Sequence, residues 1–93
     1  MAENGAGDSV GLVGVVRAAL EQFTALTQME PVAATGVRRE EHGWSVLVDV
    51  VELERVPSTT SVMATYRVDI DTGGDLTGYE RLRRYTRGSV DPS

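Results

Sequence analysis

The chain has 93 residues, no cysteine and a formal net charge of −5. That length holds one small domain that buries roughly 60% of its unfolded surface, so a deep enzyme pocket competes with the core that holds the fold together. The lack of cysteine excludes a disulfide framework and thiolate chemistry, and with a single histidine a structural zinc site fails on ligand supply.

Residues 1–8 are acidic and glycine-rich and read as a disordered tail; they have no basic segment of the kind a signal peptide needs. The apolar stretch VGLVGVV that follows is far short of the roughly 20 residues required to span a bilayer, so the expectation is a soluble, cytoplasmic protein that does not enter a membrane. Ser9 is placed to cap a helix running to about Gln28, in which Val13, Val16, Leu20 and Phe23 recur at helical spacing beside Leu12, Ala19 and Leu26. Gly11 and Gly14 weaken its first turns, and Pro31 closes the segment. No basic stripe marks it for a membrane surface, so its apolar face is expected to pack on a sheet.

From residue 32 the apolar period changes from helical to two. A strand is expected over about Ala34–Glu40, a turn at Glu41-His42-Gly43, and a long strand from Trp44 to about Arg55. A third strand begins near Val62, with Tyr66, Val68 and Ile70 alternating against Thr65, Arg67 and Asp69; after a turn at residues 71–74 a fourth runs from Leu76 to about Arg87. Strands in succession with short turns imply an antiparallel meander of three to four strands covered by one N-terminal helix: an α+β domain over residues 9–87, with a loose tail at 88–93.

Two features of these strands bear on function. Continuing the alternation from Trp44 through Val46, Val48 and Val50 places Glu52 on the apolar face, where an unpaired carboxylate is costly. Either a bulge near Val50-Val51 turns Val51 and Leu53 inward and Glu52 and Glu54 outward, or the strand outruns the core and Glu52 meets an arginine of a neighbouring strand. In the last strand Tyr79, Arg81, Arg83, Tyr85 and Arg87 share one parity, so an unbroken strand would offer alternating tyrosines and arginines, a composition enriched at protein interfaces. All nine basic residues are arginine, and Arg81, Arg83, Arg84 and Arg87 stand in this last segment of an acidic chain. A basic ribbon on an acidic body suits a protein contact better than bulk affinity for nucleic acid.

Signals of chemistry are weak. The segment DIDTGGDLTGYE places Asp69, Asp71, Gly74, Leu76 and Glu80 at the first, third, sixth, eighth and twelfth positions of a calcium loop, but Gly73 occupies a ligand position and the flanks read as strands where that loop needs helices. A hairpin with glycines at positive φ is the reading adopted. His42 lies in a polar turn beside Glu40 and Glu41. The serines and threonines at 58–61 have no neighbouring base, and no phosphate-cradling loop leads into a helix. No catalytic residue and no cofactor is expected.

The succession from Gly43 to Arg87, GWSVLVDVVELERVPSTTSVMATYRVDIDTGGDLTGYERLRRYTR, resembles the gas vesicle protein O family, an accessory component of gas vesicle gene clusters in bacteria and archaea. The resemblance rests on Gly43 and Trp44 entering a strand, the run VVELERVP with Glu52, Glu54, Arg55 and Pro57, then Tyr66, Asp71, Gly74, Tyr79, Arg81, Arg84, Tyr85 and Arg87. Ser58 and Ser61 depart from the acidic residues common in that family after the proline. The resemblance implies a non-catalytic role in forming the hollow protein shell, in the cytoplasm and associated with the vesicle, through the shell protein or other accessory proteins. The partner-binding residues expected are Glu52, Glu54, Arg55, Tyr79, Arg81, Arg83, Arg84, Tyr85 and Arg87, with Trp44, Pro57, Tyr66 and Gly74 as structural positions. Three other readings stand beside it: a regulator binding nucleic acid through the arginine-rich strand, which the acidic body disfavours; a ligand-binding module like PepSY, suggested by the VDIDTGGDL hairpin; and a homo-oligomer formed through an edge strand.

Overall fold

The computed structural model of the protein describes residues 11–88; the expected cap Ser9, the tail expected at 1–8 and the last residues, 89–93, lie outside that range. One helix, α1 (Leu12–Thr27), is followed by four strands, β1 (Glu30–Glu40), β2 (Gly43–Leu53), β3 (Val62–Asp71) and β4 (Leu76–Thr86), with a short 3₁₀ turn at Ser58–Thr60 between β2 and β3. The strands form one antiparallel sheet in the order β1-β2-β3-β4, as the short turns require. This is the α+β meander that the period change predicts.

Ala19 and Phe23, two of the positions whose spacing marks the apolar face, are buried as expected and Leu20 packs against the core, but the buried stripe runs through Val15 rather than through Leu12 and Val13. Val15, Ala19 and Phe23 are fully buried, whereas Val13 remains 72% exposed and Leu12 57%. The apolar arc of α1 is wider than the sheet covers: Val16 and Leu20 are half-buried, and the edge at Leu12 and Val13 is left outside. Gly11 occupies the cap position without a side-chain bond, and Gln28, at φ 64°, ends the helix in the left-handed conformation with its N–H on the Thr24 carbonyl.

The even-numbered residues of β2 and β3 face α1. Val46, Val48, Val50, Ala64, Tyr66, Val68 and Ile70 join Val15, Ala19 and Phe23 in one core, with Trp44 and Leu76 packed at its margin. Each fully buried valine or phenylalanine contributes about 1.5–3 kcal/mol, which is why this small two-layer domain closes over a single apolar seam. Gln22 ties the layers together: its Nε2 donates to the Gly74 carbonyl (2.8 Å), and its Oε1 accepts from the Leu76 N–H (2.8 Å).

β1 starts at Glu30 rather than Ala34. Register shifts between Pro31 and Ala33 and between Ala34 and Gly36 break its alternation, and as an edge strand it accommodates Pro31. β2 ends at Leu53 and β4 at Thr86, slightly short of the expected Arg55 and Arg87. Tight packing fixes the turn into β2, where a side chain on Gly43 (φ 149°) would run into the backbone of Ile70 and Asp71. The calcium-like segment is a hairpin turn: Asp71 Oδ1 accepts from the N–H groups of Gly73 and Asp75 (both 2.9 Å), and Gly74 sits at φ 93°.

Candidate interaction surface around the fourth strand

β4 is an edge strand, and two register shifts decide where its side chains go. Ile70 pairs with Leu76 and Asp69 with Gly78, leaving Thr77 as an extra residue; Tyr66 pairs with Arg81 and Thr65 with Arg83, leaving Leu82 as another. The bulge at Leu82 resets the alternation. Tyr79 and Arg81, opposite Val68 and Tyr66, and then Arg84, opposite Ala64, lie on the helix side, whereas Arg83 and Tyr85, opposite Thr65 and Met63, lie on the other face. The single Tyr/Arg face expected from the parity of residues 79–87 is therefore split between the two faces of the sheet.

On the helix side the two arginines converge on Glu52. The β2–β3 register passes from Val51↔Met63 to Leu53↔Val62, so Glu52 itself is the bulged residue, one or two positions beyond the expected site. The bulge does not turn it outward. Its side chain is only 13% exposed; Oε1 accepts from Arg84 Nε (2.9 Å) and Oε2 from Arg81 Nη1 (3.2 Å). The Tyr66 hydroxyl also donates to Oε2 (3.0 Å). Leu53, expected inward, is 46% exposed. Of the two expectations for Glu52, the meeting with arginine holds, and the arginines come from β4, across the intervening β3.

The electrostatics follow from this crowding. Burial works to raise the Glu52 carboxyl, but the Tyr66 hydroxyl, Arg81 and Arg84 outweigh it and hold the group below the ordinary glutamate value. Tyr66 is pushed up by burial first and by the neighbouring Glu52 carboxylate second. Its ring lies 5.1 Å from Phe23 and 6.0 Å from Tyr79, while Phe23 and Tyr79 meet edge to face at 5.5 Å, so the aromatic cluster of the core runs directly into the charged one.

The opposite face carries a second network that the sequence did not reveal. Asp49 accepts from the Thr65 hydroxyl (2.6 Å) and from the Tyr85 hydroxyl (3.0 Å), the Arg83 guanidinium stacks 4.6 Å from the Tyr85 ring, and Arg67 reaches Glu80 (2.9 Å) and Asp69 (3.3 Å). Burial, then the Asp49 carboxylate, raises Tyr85 above the ordinary tyrosine value.

A third group forms where β2 and β4 end. Ser61, 1% exposed, accepts the Arg87 N–H on its carbonyl (2.9 Å) and the Arg55 N–H on its hydroxyl oxygen (3.0 Å). Pro57 supports the same loop, accepting from the Thr60 N–H and hydroxyl at 2.9 and 2.7 Å. Arg55 and Arg87 are thereby brought together, 32 positions apart in sequence, beside exposed Glu54, Leu53 and Val56, the last 98% exposed. Arg55, Arg83 and Arg87 form no ion pair with another described residue, in contrast to Arg81 and Arg84. At the far end of the sheet, Trp44 is half-buried with the Arg39 guanidinium 5.3 Å from its ring. His42 is exposed in the β1–β2 turn, 3.9 Å from Glu41.

Comparison with known proteins supplies the context for this surface. The family model described as "Gas vesicle synthesis protein GvpO" matches residues 1–91. Gas vesicle protein O of a Streptomyces species is 47% identical over 79 residues, which are 85% of this chain and 62% of the relative. Gas vesicle protein O1 of Halobacterium salinarum is 44% identical over 50 residues (54% of this chain, 42% of the relative), and gas vesicle protein O of Haloferax mediterranei 42% identical over 48 (52% and 34%). The chain thus spans less than two thirds of the length of each of these relatives. No solved structure matches it. On the extent of the family match and the identity to these relatives, the chain belongs to the gas vesicle synthesis protein GvpO family.

Proposed function

We propose that this protein is a non-catalytic accessory factor in gas vesicle formation, acting in association with the vesicle and binding the shell protein or another accessory protein. The family match over residues 1–91 carries the reading. Within it, the residues on and around β4 have two duties. Glu52, Tyr66, Tyr79, Arg81 and Arg84 hold the helix side of the sheet together, whereas Glu54, Arg55 and Arg87 at the end of the sheet, with exposed Leu53 and Val56 beside them, and Arg83 and Tyr85 on the opposite face present the docking surface. Arginines that form no ion pair among the described residues, near exposed apolar side chains, are what an interface hot spot is commonly built from, and the mixed composition suits a charged protein surface.

The test is complementation. In a host whose gas vesicle cluster lacks its O-type gene, this chain is expressed and buoyant vesicles are scored by flotation and electron microscopy. Restored vesicles are the expected result; a chain that is folded and soluble in that host but restores none, in the cluster of its Streptomyces relative, overturns the reading.

A further inference from the structure

Part of the apolar surface of α1 has no partner among the described residues. Val15, Ala19 and Phe23 are fully buried against the sheet, while exposed Leu12 and Val13 and half-buried Val16 and Leu20, the last with one side on the core, line a shallow apolar groove along the helix together with Arg17 and Glu21. At 100° per residue, the mean direction of this stripe lies about 135° around the helix from Gln22, whose side chain bonds the β3–β4 turn, so the stripe faces away from β4. A contiguous apolar patch on a small domain marks a contact surface.

We propose that the occupant is a second copy of this chain, its α1 packed antiparallel against the first across a two-fold axis. The charges select this partner. Arg17 and Glu21 are the only charged residues in α1, one turn apart on the border of the stripe. A two-fold axis at the level of Ala19 sets Arg17 of each copy opposite Glu21 of the other, with Val16 and Leu20 of both copies interleaved between them. An isologous contact must be self-complementary, and this pair is; a partner of one charge sign gains nothing from it. The stripe alone is smaller than the roughly 800 Å² per partner of a standard interface, so the dimer forms reversibly with concentration.

Sedimentation velocity on the full chain, from about 5 to about 500 μM, reads this equilibrium. The wild type is expected to pass from monomer to dimer. Val13→Glu is expected to remain monomeric across the range; since Val13 is already 72% exposed, the substitution removes no core contact, and circular dichroism checks that the fold is intact. Arg17→Glu and Glu21→Arg each place like charges in both contacts and are expected to weaken the dimer about tenfold. The first variant is acidic at both positions and the second basic at both, so an equal mixture sets opposite charges in each contact again, and dimer formation is expected to return. A wild type that stays monomeric throughout, a dimer insensitive to Val13→Glu, or a mixture no more associated than its components overturns the proposal.

Discussion

Replacing Glu52 by glutamine keeps the shape of a side chain on which three others converge and removes the charge that draws them. Arg81 and Arg84 are 47% and 56% exposed at the side chain, so solvent screens them, and each pair contributes about 0.2–1 kcal/mol. The Tyr66 hydroxyl, largely buried, donates to a charged acceptor in the native protein and to a neutral one in the variant, a difference of about 1 kcal/mol. Glu52→Gln is therefore expected to cost about 2 kcal/mol, a large share of the roughly 5 kcal/mol available to a domain of this size, and to lower Tm by about 10 °C. Urea unfolding followed by the fluorescence of Trp44, the sole tryptophan, measures the loss. A double-mutant cycle with Arg84→Gln isolates the pair, with an expected coupling of about 0.5–1 kcal/mol. A Glu52→Gln variant that unfolds at the wild-type urea concentration with an unchanged slope refutes the assignment of this network to the fold.

Other expectations follow from the same contacts. Gln22→Ala severs both bonds between α1 and the β3–β4 turn and leaves the Gly74 carbonyl and Leu76 N–H without their partner; a loss of about 1–3 kcal/mol is expected in urea unfolding. Gly43→Ala forces a side chain into the backbone of Ile70 at a φ that only glycine adopts freely, and is expected to cost more than about 2 kcal/mol, visible as a shifted thermal transition. Because the folded state holds Glu52 below its ordinary value, the unfolded chain binds the proton first on acidification; stability from this group is complete above about pH 5 and falls as the pH drops below about 4. Tyr66 and Tyr85 are shifted the opposite way, so their contribution is complete below the ordinary tyrosine value near 10 and is lost as the pH rises through their higher folded values. Urea midpoints measured across both windows, with Tyr85→Phe flattening part of the alkaline loss, check the signs.

The sequence made the architecture legible because two periods are written plainly in it: a helical repeat through Phe23, then alternation through Val46–Val50 and Tyr66–Ile70. What stayed hidden has physical causes. α1 carries an apolar arc wider than the sheet covers, and only the sheet decides which part of it is buried. β1 and β4 are edge strands with two register shifts each, and a bulge resets parity without leaving a residue type that announces it. For that reason Arg81 and Arg83 look like neighbours on one face when Leu82 separates them onto two. The conflict at Glu52 was legible as a conflict, since a carboxylate fell where a valine was due; its resolution required knowing that β4 lies two strands away and brings arginines within reach. Asp49, Thr65, Gln22 and Ser61 gave no signal, because their partners are set by register and by the loop after Pro57 rather than by spacing.

The most direct test of the divided role of these arginines is vesicle rescue by the Arg83→Glu/Arg87→Glu variant, with its unfolding midpoint measured alongside. The expected result is a midpoint lowered by no more than corresponds to the about 0.5–1 kcal/mol of the Arg83 stacking on Tyr85, with loss of buoyant vesicles, while the wild-type chain restores them. Full rescue by the folded variant would contradict the account and return Arg83 and Arg87 to ordinary solvated charges.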